Sequence, residues 1–287
     1  MSLTLRLLAA VVVGCTLSLP VKAARIGVLS NRFAAETAAD FGARTTRHVF
    51  TGIDVSSTVP PLATLLANYD VILLFEDTTF SNSKNVGDRV AEFANAGRPV
   101  VLGTFYDQDR SDATGGTTTS HGWGALEAID PNTTDGFGTA YAVRTLAPGS
   151  IVRHPLTSGV TSLSALRGNP GPYAGGNMAK PGTTVVAAWS QPNALGQIDP
   201  AIAYRKTGRA CVIHIGIAPH YGVLPTFGTF GTDFAGDFYR AWQNAFDYGG
   251  RGCRLSPIPT LSTWAITLLA LALFGLAAAG MRPRARR

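Results

Sequence analysis

The chain has 287 residues, of which 46% are hydrophobic and only 15% are charged, a composition that excludes an intrinsically disordered protein. The first 23 residues hold two of the 24 Lys and Arg residues, and five more follow Cys253. The remaining 17 share residues 24–253 with all 18 Asp and Glu residues, so this stretch has a formal net charge of −1. The basic isoelectric point of about 9.5 therefore comes from the two ends. No nucleic-acid partner is predicted.

The first 23 residues predict a secretory signal peptide. Arg6 is followed by an apolar run over 7–19, and Val21-Lys22-Ala23 provides a small-residue cleavage site. We expect cleavage after Ala23. A lipoprotein signal is the alternative, because Val12-Val13-Gly14-Cys15 fits a lipobox in which Cys15 would be acylated. An uncleaved anchor is disfavoured because the apolar run is short.

Residues 24–253 predict one exported α/β domain with a doubly wound, mostly parallel sheet of the flavodoxin-like kind. Short β-branched runs alternate with helical stretches, and VILLF at 71–75 is the uninterrupted apolar sequence of a strand buried on both faces. The predicted strands of this half are 25–29, 48–50, 71–75 and 99–103, and the predicted helices are 34–41, 62–67 and 85–95.

The second half of the domain has a different amino-acid composition. Gly, Thr, Asp and Asn crowd residues 107–138, so we expect long loops there. The later predicted strands are 140–146, 183–189, 201–205 and 211–217, with a turn at 206–209. Residues 233–248 predict a closing amphipathic helix. Its aromatic stripe is predicted to belong to the core and not to a ligand site; it comprises Phe234, Phe238, Trp242 and Phe246.

Residues 264–281 carry no charge and predict a transmembrane helix. At 1.5 Å per residue the segment spans roughly 27 Å, about the hydrocarbon core of a bilayer. Residues 282–287 include four arginines, and such a basic cluster stays cytoplasmic, which places the domain outside. A buried core helix is the alternative, and these arginines disfavour it.

A short motif begins in the linker, 254–263, and ends at Trp264, the first residue of the predicted transmembrane segment. Pro257 and Pro259 keep this linker extended. The motif residues are Ile258, Pro259, Thr260, Leu261 and Trp264. Together with the apolar helix and the arginines they resemble the IPTL-CTERM sorting domain, although Ala265 stands where that motif has Gly. The resemblance implies three partners: the secretion machinery, the membrane, and an exosortase-type enzyme that cuts near the motif and passes the protein to the cell surface.

The exported domain has a second resemblance, carried by the order of its elements, by residues 69–75 and 97–103, and by His154-Pro155-Leu156 with Gly159-Val160. These features are similar to class I glutamine-amidotransferase-like domains, including the trehalose-utilisation type. In the catalytic relatives a Cys occupies the tight turn after the strand that corresponds to 100–103. Here that turn reads Gly103-Thr104-Phe105-Tyr106, so the nucleophile is missing and amidotransferase chemistry is not predicted.

Cys211 and Cys253 are the two cysteines that remain once the signal is removed. Two cysteines in an exported protein favour a disulfide. Cys211 begins a predicted strand, and Cys253 follows the helix that should return antiparallel to that strand. This arrangement should bring the two cysteines close together. Two buried free thiols are the alternative.

Candidates for chemistry are few. His220 follows the carboxyl end of a predicted strand, where open α/β sheets place their ligands. Asp107, Asp109 and His121 follow another strand end and could line the same crevice. The run 107–112 resembles a calcium loop but lacks its Gly and terminal Glu, so a solvated acidic turn is predicted, with no metal and no cofactor. His214 alternates with apolar residues and is interpreted as a packed histidine.

Two functions stay open. The first is a non-enzymatic binding or interaction domain at the cell exterior with an unknown ligand, which the missing nucleophile favours. The second is an extracellular hydrolase of carbohydrate or peptide-like substrates, in which His220 and the Asp107/Asp109 loop supply acid–base or metal-assisted catalysis.

Overall fold

The computed structural model describes residues 23–45, 47–78, 80–105, 122–133, 141–168, 170–173, 178–192, 196–226, 228–251 and 253. The predicted signal, apart from Ala23, and the predicted linker, transmembrane segment and basic tail lie outside these residues. Within the described part of the chain, no helix combines the length and the apolar character that a membrane span requires.

A large sheet forms the centre of the domain. Its strands are β1 (Arg25–Ser30), β2 (Val49–Asp54), β3 (Val71–Leu74), β4 (Val100–Gly103), β7 (Thr183–Ala188), β8 (Pro200–Thr207) and β9 (Ala210–Ile215). In space they run in the order β2-β1-β3-β4-β9-β8-β7. The pairs from β2 to β9 are parallel, whereas β9 with β8 and β8 with β7 are antiparallel. The predicted mixed α/β fold with a mostly parallel sheet is confirmed.

Helices cover both faces of this sheet. They are α1 (Ala34–Arg44), α2 (Leu62–Asn68), α3 (Ser83–Asn95) and α4 (Phe238–Arg251). From β1 the chain first moves outward to β2 and then crosses back to β3 on the other side of β1. The gap between the carboxyl ends of β1 and β3 is therefore the switch point at which open α/β sheets bind ligands.

The alternation of side chains along each strand builds two cores. In β3, Val71 and Leu73 join the core beneath α1 and α4, while Ile72 and Leu74 join the core beneath α3. All four are fully buried, which explains the uninterrupted apolar run. The aromatic stripe packs as core: Phe41 of α1 lies 5.8 Å from Trp242 and 5.6 Å from Phe246, ring centre to ring centre.

The predicted strand at 140–146 is wrong in extent and in place. The structure has only β5 (Arg144–Thr145), which belongs to a separate small antiparallel sheet with β6 (Leu163–Ala165) and β10 (Phe234–Gly236). Val143 is 47% exposed, so the segment does not have the two buried faces of a central strand. The turn at Pro148–Ser150 then redirects the chain.

The predicted start of the closing helix at Asp233 is also wrong. Residues 234–236 form β10, and Gly236 has φ of 81°, a left-handed conformation that a helix cannot continue through. Asp237, the residue before the helix, is held instead by a neighbouring segment, because its carboxylate accepts from the backbone N–H of Thr161 at 2.8 Å and of Ser162 at 3.1 Å. These bonds outweigh burial and lower the pKa of Asp237.

A disulfide joins Cys211 at the start of β9 to Cys253 beyond α4, with Cα atoms 5.7 Å apart. The bond was expected because the helix returns antiparallel to β9. Both cysteines are buried, at 3% and 8% exposure, so reductants reach the bond mainly when the domain unfolds.

Replacing both cysteines with Ser is expected to lower the free energy of unfolding by about 4 kcal/mol, because the bond closes a loop of 42 residues. Urea denaturation of wild type and variant, each with and without reductant, measures the difference. Reductant should destabilise the wild type alone. Two thiols that react with iodoacetamide in the untreated wild type would contradict the assignment.

Close packing on α3 depends on one glycine. A Cβ placed on Gly87 would lie 1.8 Å from the carbonyl oxygen of Trp123, so the turn at Gly124–Ala128 approaches the helix only because no side chain intervenes. Gly42 in α1 offers a contrast, since a Cβ there meets no atom within 4 Å.

Gly87→Ala is expected to destabilise the domain by about 3 kcal/mol, because backbone atoms must move. Gly42→Ala, the matched control, should instead stabilise it by about 0.5 kcal/mol, since alanine restricts the unfolded chain more. Thermal unfolding of the two variants tests the pair. Equal effects of the two substitutions would show that the backbone of Trp123 does not lie in close contact with Gly87.

Candidate functional site

A cleft of 200 Å³ lies at the carboxyl edge of the large sheet, at the switch point between β1 and β3. Loops that follow four parallel strands supply its walls: Arg32 and Phe33 after β1, Asp77 after β3, Phe105 after β4 and Tyr221 after β9. Tyr141, Pro170, Leu224, Pro225 and Thr226 complete the lining. The cleft therefore combines aromatic rings with one cation and one carboxylate.

His220 and Asp77 form the polar centre of this edge. The Nε2 atom of His220 lies 2.9 Å from Oδ1 of Asp77, and Arg32 Nη1 lies 3.4 Å from the other carboxylate oxygen. His220 is fully buried, whereas the Asp77 side chain is 13% exposed and that of Arg32 is 58% exposed. The three side chains thus extend from the interior to the cleft surface in the order His220, Asp77, Arg32.

Aromatic rings fix the plane of His220. Phe75 stacks on the imidazole at 5.0 Å with an interplanar angle of 12°, and Phe33 is parallel to it at 6.0 Å. Phe105 and Tyr221 close the sides at 6.0 and 5.6 Å. Two parallel neighbours restrain the tilt of the imidazole, and the contact with Asp77 sets the direction of Nε2 within the ring plane.

Asn31 joins the loops that follow β1 and β3. Its side-chain oxygen accepts from the backbone N–H of Asp77 at 3.2 Å, and its amide nitrogen donates to the carbonyl oxygen and the hydroxyl of Thr78. The Asn31 side chain therefore continues the parallel pairing of the two strands past their ends. This bridge fixes the position of Asp77.

Phe33 is held in a strained backbone conformation. Its φ of 59° and ψ of 18° lie in the left-handed region, which costs a bulky residue about 1–3 kcal/mol. The strain places its ring between His220 and the guanidinium of Arg32, whose central carbon lies 4.6 Å from the ring centre. Strained residues that persist in this way concentrate at ligand-binding sites.

Asp233 supports the far wall of the cleft. Its carboxylate accepts from the backbone N–H of Gly228 at 2.7 Å and of Thr229 at 2.8 Å, and it pairs with Arg167 at 3.3 Å. Burial alone would raise the pKa of Asp233, but the two backbone hydrogen bonds and then Arg167 lower it. Arg167 in turn donates to the carbonyl oxygen of Pro170 at 2.9 Å. Asp233 therefore ties together two segments that line the cleft.

The turn after β4, residues 103–105, carries Thr104 and Phe105 and neither Cys nor Ser. Phe105 contributes a ring to the cleft, and Thr104 is fully buried.

Tyr221 supplies a phenol to the cleft. Burial raises the pKa of this phenol, so it stays protonated and serves as a hydrogen-bonding group at neutral pH.

Of the predicted site residues, His220 belongs to the described part of the chain, and it lies at this edge of the sheet. Asp107, Asp109 and His121 lie outside the described residues, so their proximity to His220 stays a prediction. His214 is buried as expected of a packed histidine, with Nδ1 at 2.9 Å from the Asn132 amide. Among the residues that the structure describes, no group of three or more potential metal ligands occurs.

Sequence reasoning missed Arg32, Phe33, Asp77 and Asp233. The rule that pointed to His220 applies equally to the residues after β1 and β3, because parallel strands end at one edge. Asn31-Arg32 directly follow β1, and Glu76-Asp77 follow β3 after Phe75, so both pairs were identifiable in this way. Phe33 gave no signal, since its strain depends on the backbone alone.

Solved structures overlap with the domain, each at 12% identity. A ThuA-like protein from Bacteroides uniformis is covered to 95% and covers 82% of this chain, with a TM-score of 0.42. The carbohydrate deacetylase Agd3 covers 80% of the chain with a TM-score of 0.39, and a β-galactosidase from Bacillus circulans sp. alkalophilus covers 67% with a TM-score of 0.40. The chain spans only 33% and 28% of these two proteins. At such scores none of these likenesses supports a function.

No curated protein matches the chain in sequence. The IPTL-CTERM motif matches residues 256–287, which confirms the resemblance drawn from Ile258, Pro259, Thr260, Leu261 and Trp264. The chain thus carries an IPTL-CTERM motif, which marks it as an exported, sorted protein associated with the cell envelope.

Proposed function

We propose that the chain is a cell-envelope protein whose exported domain binds a ligand in the cleft without transforming it. Residues 264–281 hold it in the membrane with the domain outside, after signal cleavage at Ala23. An exosortase-type enzyme recognises the motif around Ile258–Leu261. Whether the tail is then removed decides between a permanent anchor and transfer to the surface.

The observation that carries the non-catalytic role is the burial of His220 behind Asp77. A general acid or base must come within hydrogen-bond reach of the group that it protonates or deprotonates. A ligand in the cleft meets Arg32, Asp77 and the aromatic rings, whereas Phe33, Phe75 and Phe105 enclose His220. His220 therefore serves as a positioning residue for Asp77.

The lining favours an uncharged polar ligand with one apolar face. Arg32 and Asp77 neutralise each other across 3.4 Å, so the cleft offers paired donors and acceptors with little net charge. Phe33, Phe105 and Tyr221 offer flat apolar surfaces. Oligosaccharides and short peptides both meet this description, and the proposal of a binding domain covers both.

Mass spectrometry of the protein from its native host tests the sorting part of the proposal. A mature start at Ala24 and a carboxyl end within 258–264 are expected if both cleavages occur. An intact carboxyl end would leave a simple membrane anchor. A lipidated start at Cys15 would overturn the signal assignment and attach the domain at its other end.

Binding and turnover of a panel of oligosaccharides and short peptides test the role of the cleft. The wild type is expected to bind a panel member and leave it chemically unchanged. Arg32→Ala should weaken that binding by roughly tenfold, because a charged hydrogen-bonding group is lost. Lys84→Ala, which removes an exposed cation outside the cleft lining, should leave it unchanged.

The hydrolase alternative predicts a different result from the same panel. The wild type would then consume a panel member, and His220→Gln would abolish consumption while retaining the wild-type fold by circular dichroism. Turnover that survives in His220→Gln would overturn both the binding-only proposal and the catalytic role of His220.

A further inference from the structure

The second notable surface lies at the opposite, amino edge of the large sheet. Here Arg98, Lys206, Gly208 and Arg209 line a groove of 420 Å³, with Cys253 at its rim. We call it the basic groove. Arg98 precedes β4, Lys206 lies near the end of β8, and Gly208 and Arg209 form the turn between β8 and β9.

The basic groove is an exception on a domain whose formal net charge is −1. Its described lining residues include three cations and no carboxylate. Asp70 lies next to it and is shared by Arg98 at 3.1 Å and Arg25 at 3.2 Å, so one carboxylate faces two guanidinium groups. Burial opposes ionisation of Asp70, but Arg25 and Arg98 outweigh it and lower its pKa to about 2. Cations therefore remain in excess at this edge throughout the neutral range.

Two of the three cations are accessible from solvent. Lys206 and Arg209 are exposed. Arg209 spends one of its five N–H donors on the carbonyl oxygen of Ala96, at 3.3 Å, which neutralises the end of α3. The Lys206 ammonium lies over the rings of Tyr204 and Tyr248, at 5.8 and 5.7 Å, so these rings orient it beside the groove.

The same edge is where the chain leaves the domain at both ends. Ala24 directly precedes β1, and a Cβ on Gly250 at the end of α4 would lie 3.9 Å from that of Ala24. Cys253 is itself part of the basic groove. In the proposed function, the ten linker residues 254–263 then lead to the membrane segment, and their fully extended span is at most roughly 36 Å. The amino edge is thus tethered close to the bilayer.

We infer that the basic groove binds the phosphates of anionic lipid headgroups and holds the domain with its cleft facing away from the membrane. Three cations that line one groove suit phosphate, and the proposed tether brings anionic headgroups within reach. The six-residue strand β9 separates the two edges by roughly 20 Å, so the docked domain presents the cleft to the exterior. The inference rests on the membrane anchor of the proposed function.

Hydrogen exchange on the full chain in nanodiscs tests this inference. Discs of phosphatidylcholine alone are compared with discs of equimolar phosphatidylcholine and phosphatidylglycerol. Docking predicts slower exchange of amides 96–98 and 206–209 in the anionic discs only, and added salt should remove the difference. The cleft segments 31–33 and 221–226 should exchange equally in both.

A matched pair of lysine variants supplies the control. Lys206→Gln should weaken docking about fivefold, the equivalent of about 1 kcal/mol for one cation near an anionic surface. Lys84→Gln removes an exposed lysine from the first turn of α3, at the other edge of the sheet, and should leave docking unchanged. Equal effects of the two variants would point to bulk charge and contradict a specific groove.

The remaining outcomes separate the docking inference from the proposed anchor. A chain that stays in both kinds of disc and shows equal exchange in them would overturn docking and leave the anchor intact. A chain that does not incorporate into discs would overturn the anchor, and docking with it. Protection by inorganic phosphate in phosphatidylcholine discs, with none from phosphatidylglycerol, would assign the groove to a free anion and overturn the lipid assignment.

Discussion

The parallel pairing of β1, β3, β4 and β9 is the constraint on which the other features depend. Strands that run in one direction end at one edge of the sheet and begin at the other. Their carboxyl ends therefore bring Arg32, Asp77, Phe105 and His220 together, although these residues are far apart in the sequence. Their amino ends bring together the cations, the disulfide and both exits of the chain. One geometric rule therefore places the cleft at one edge of the sheet and the basic groove at the other.

At the carboxyl edge, the folded state contains a strained backbone and a buried polar pair, and both lower its stability. Phe33 adopts a left-handed conformation and Asp77 is drawn close to a fully buried imidazole. Neither arrangement helps a core that apolar residues alone would stabilise better. The surrounding bonds of Asn31 and Asp233 oppose relaxation of the loops. A site kept rigid at such a cost, with its histidine out of reach, suits selective binding better than proton transfer.

Much of the fold was predictable because its signals are local. The strands at 25–30, 71–74, 100–103 and 210–215 follow from apolar runs, and the hairpin turn follows from Lys206-Thr207-Gly208-Arg209. The start of the last helix was not predictable, because Phe234 fits a helical stripe. Only the left-handed Gly236 and the hydrogen bonds that Asp237 accepts from Thr161 and Ser162 end that pattern. Only part of the candidate site could be predicted from the sequence. His220 follows from its place after β9, whereas the role of Asp233 depends on contacts with residues 66 positions away.

The disulfide connects the tether to the middle of the sheet. Cys211 opens β9, which lies between β4 and β8, so a force on the chain beyond Cys253 reaches a central strand directly. Without the bond, such a force would first unwind the last turn of α4, where helix ends fray most easily. The bond also fixes Cys253 beside Arg209 and Arg98, so the rim of the basic groove cannot separate from its floor. In the proposed tethered arrangement, the bond between Cys211 and Cys253 therefore supports a defined orientation of the domain.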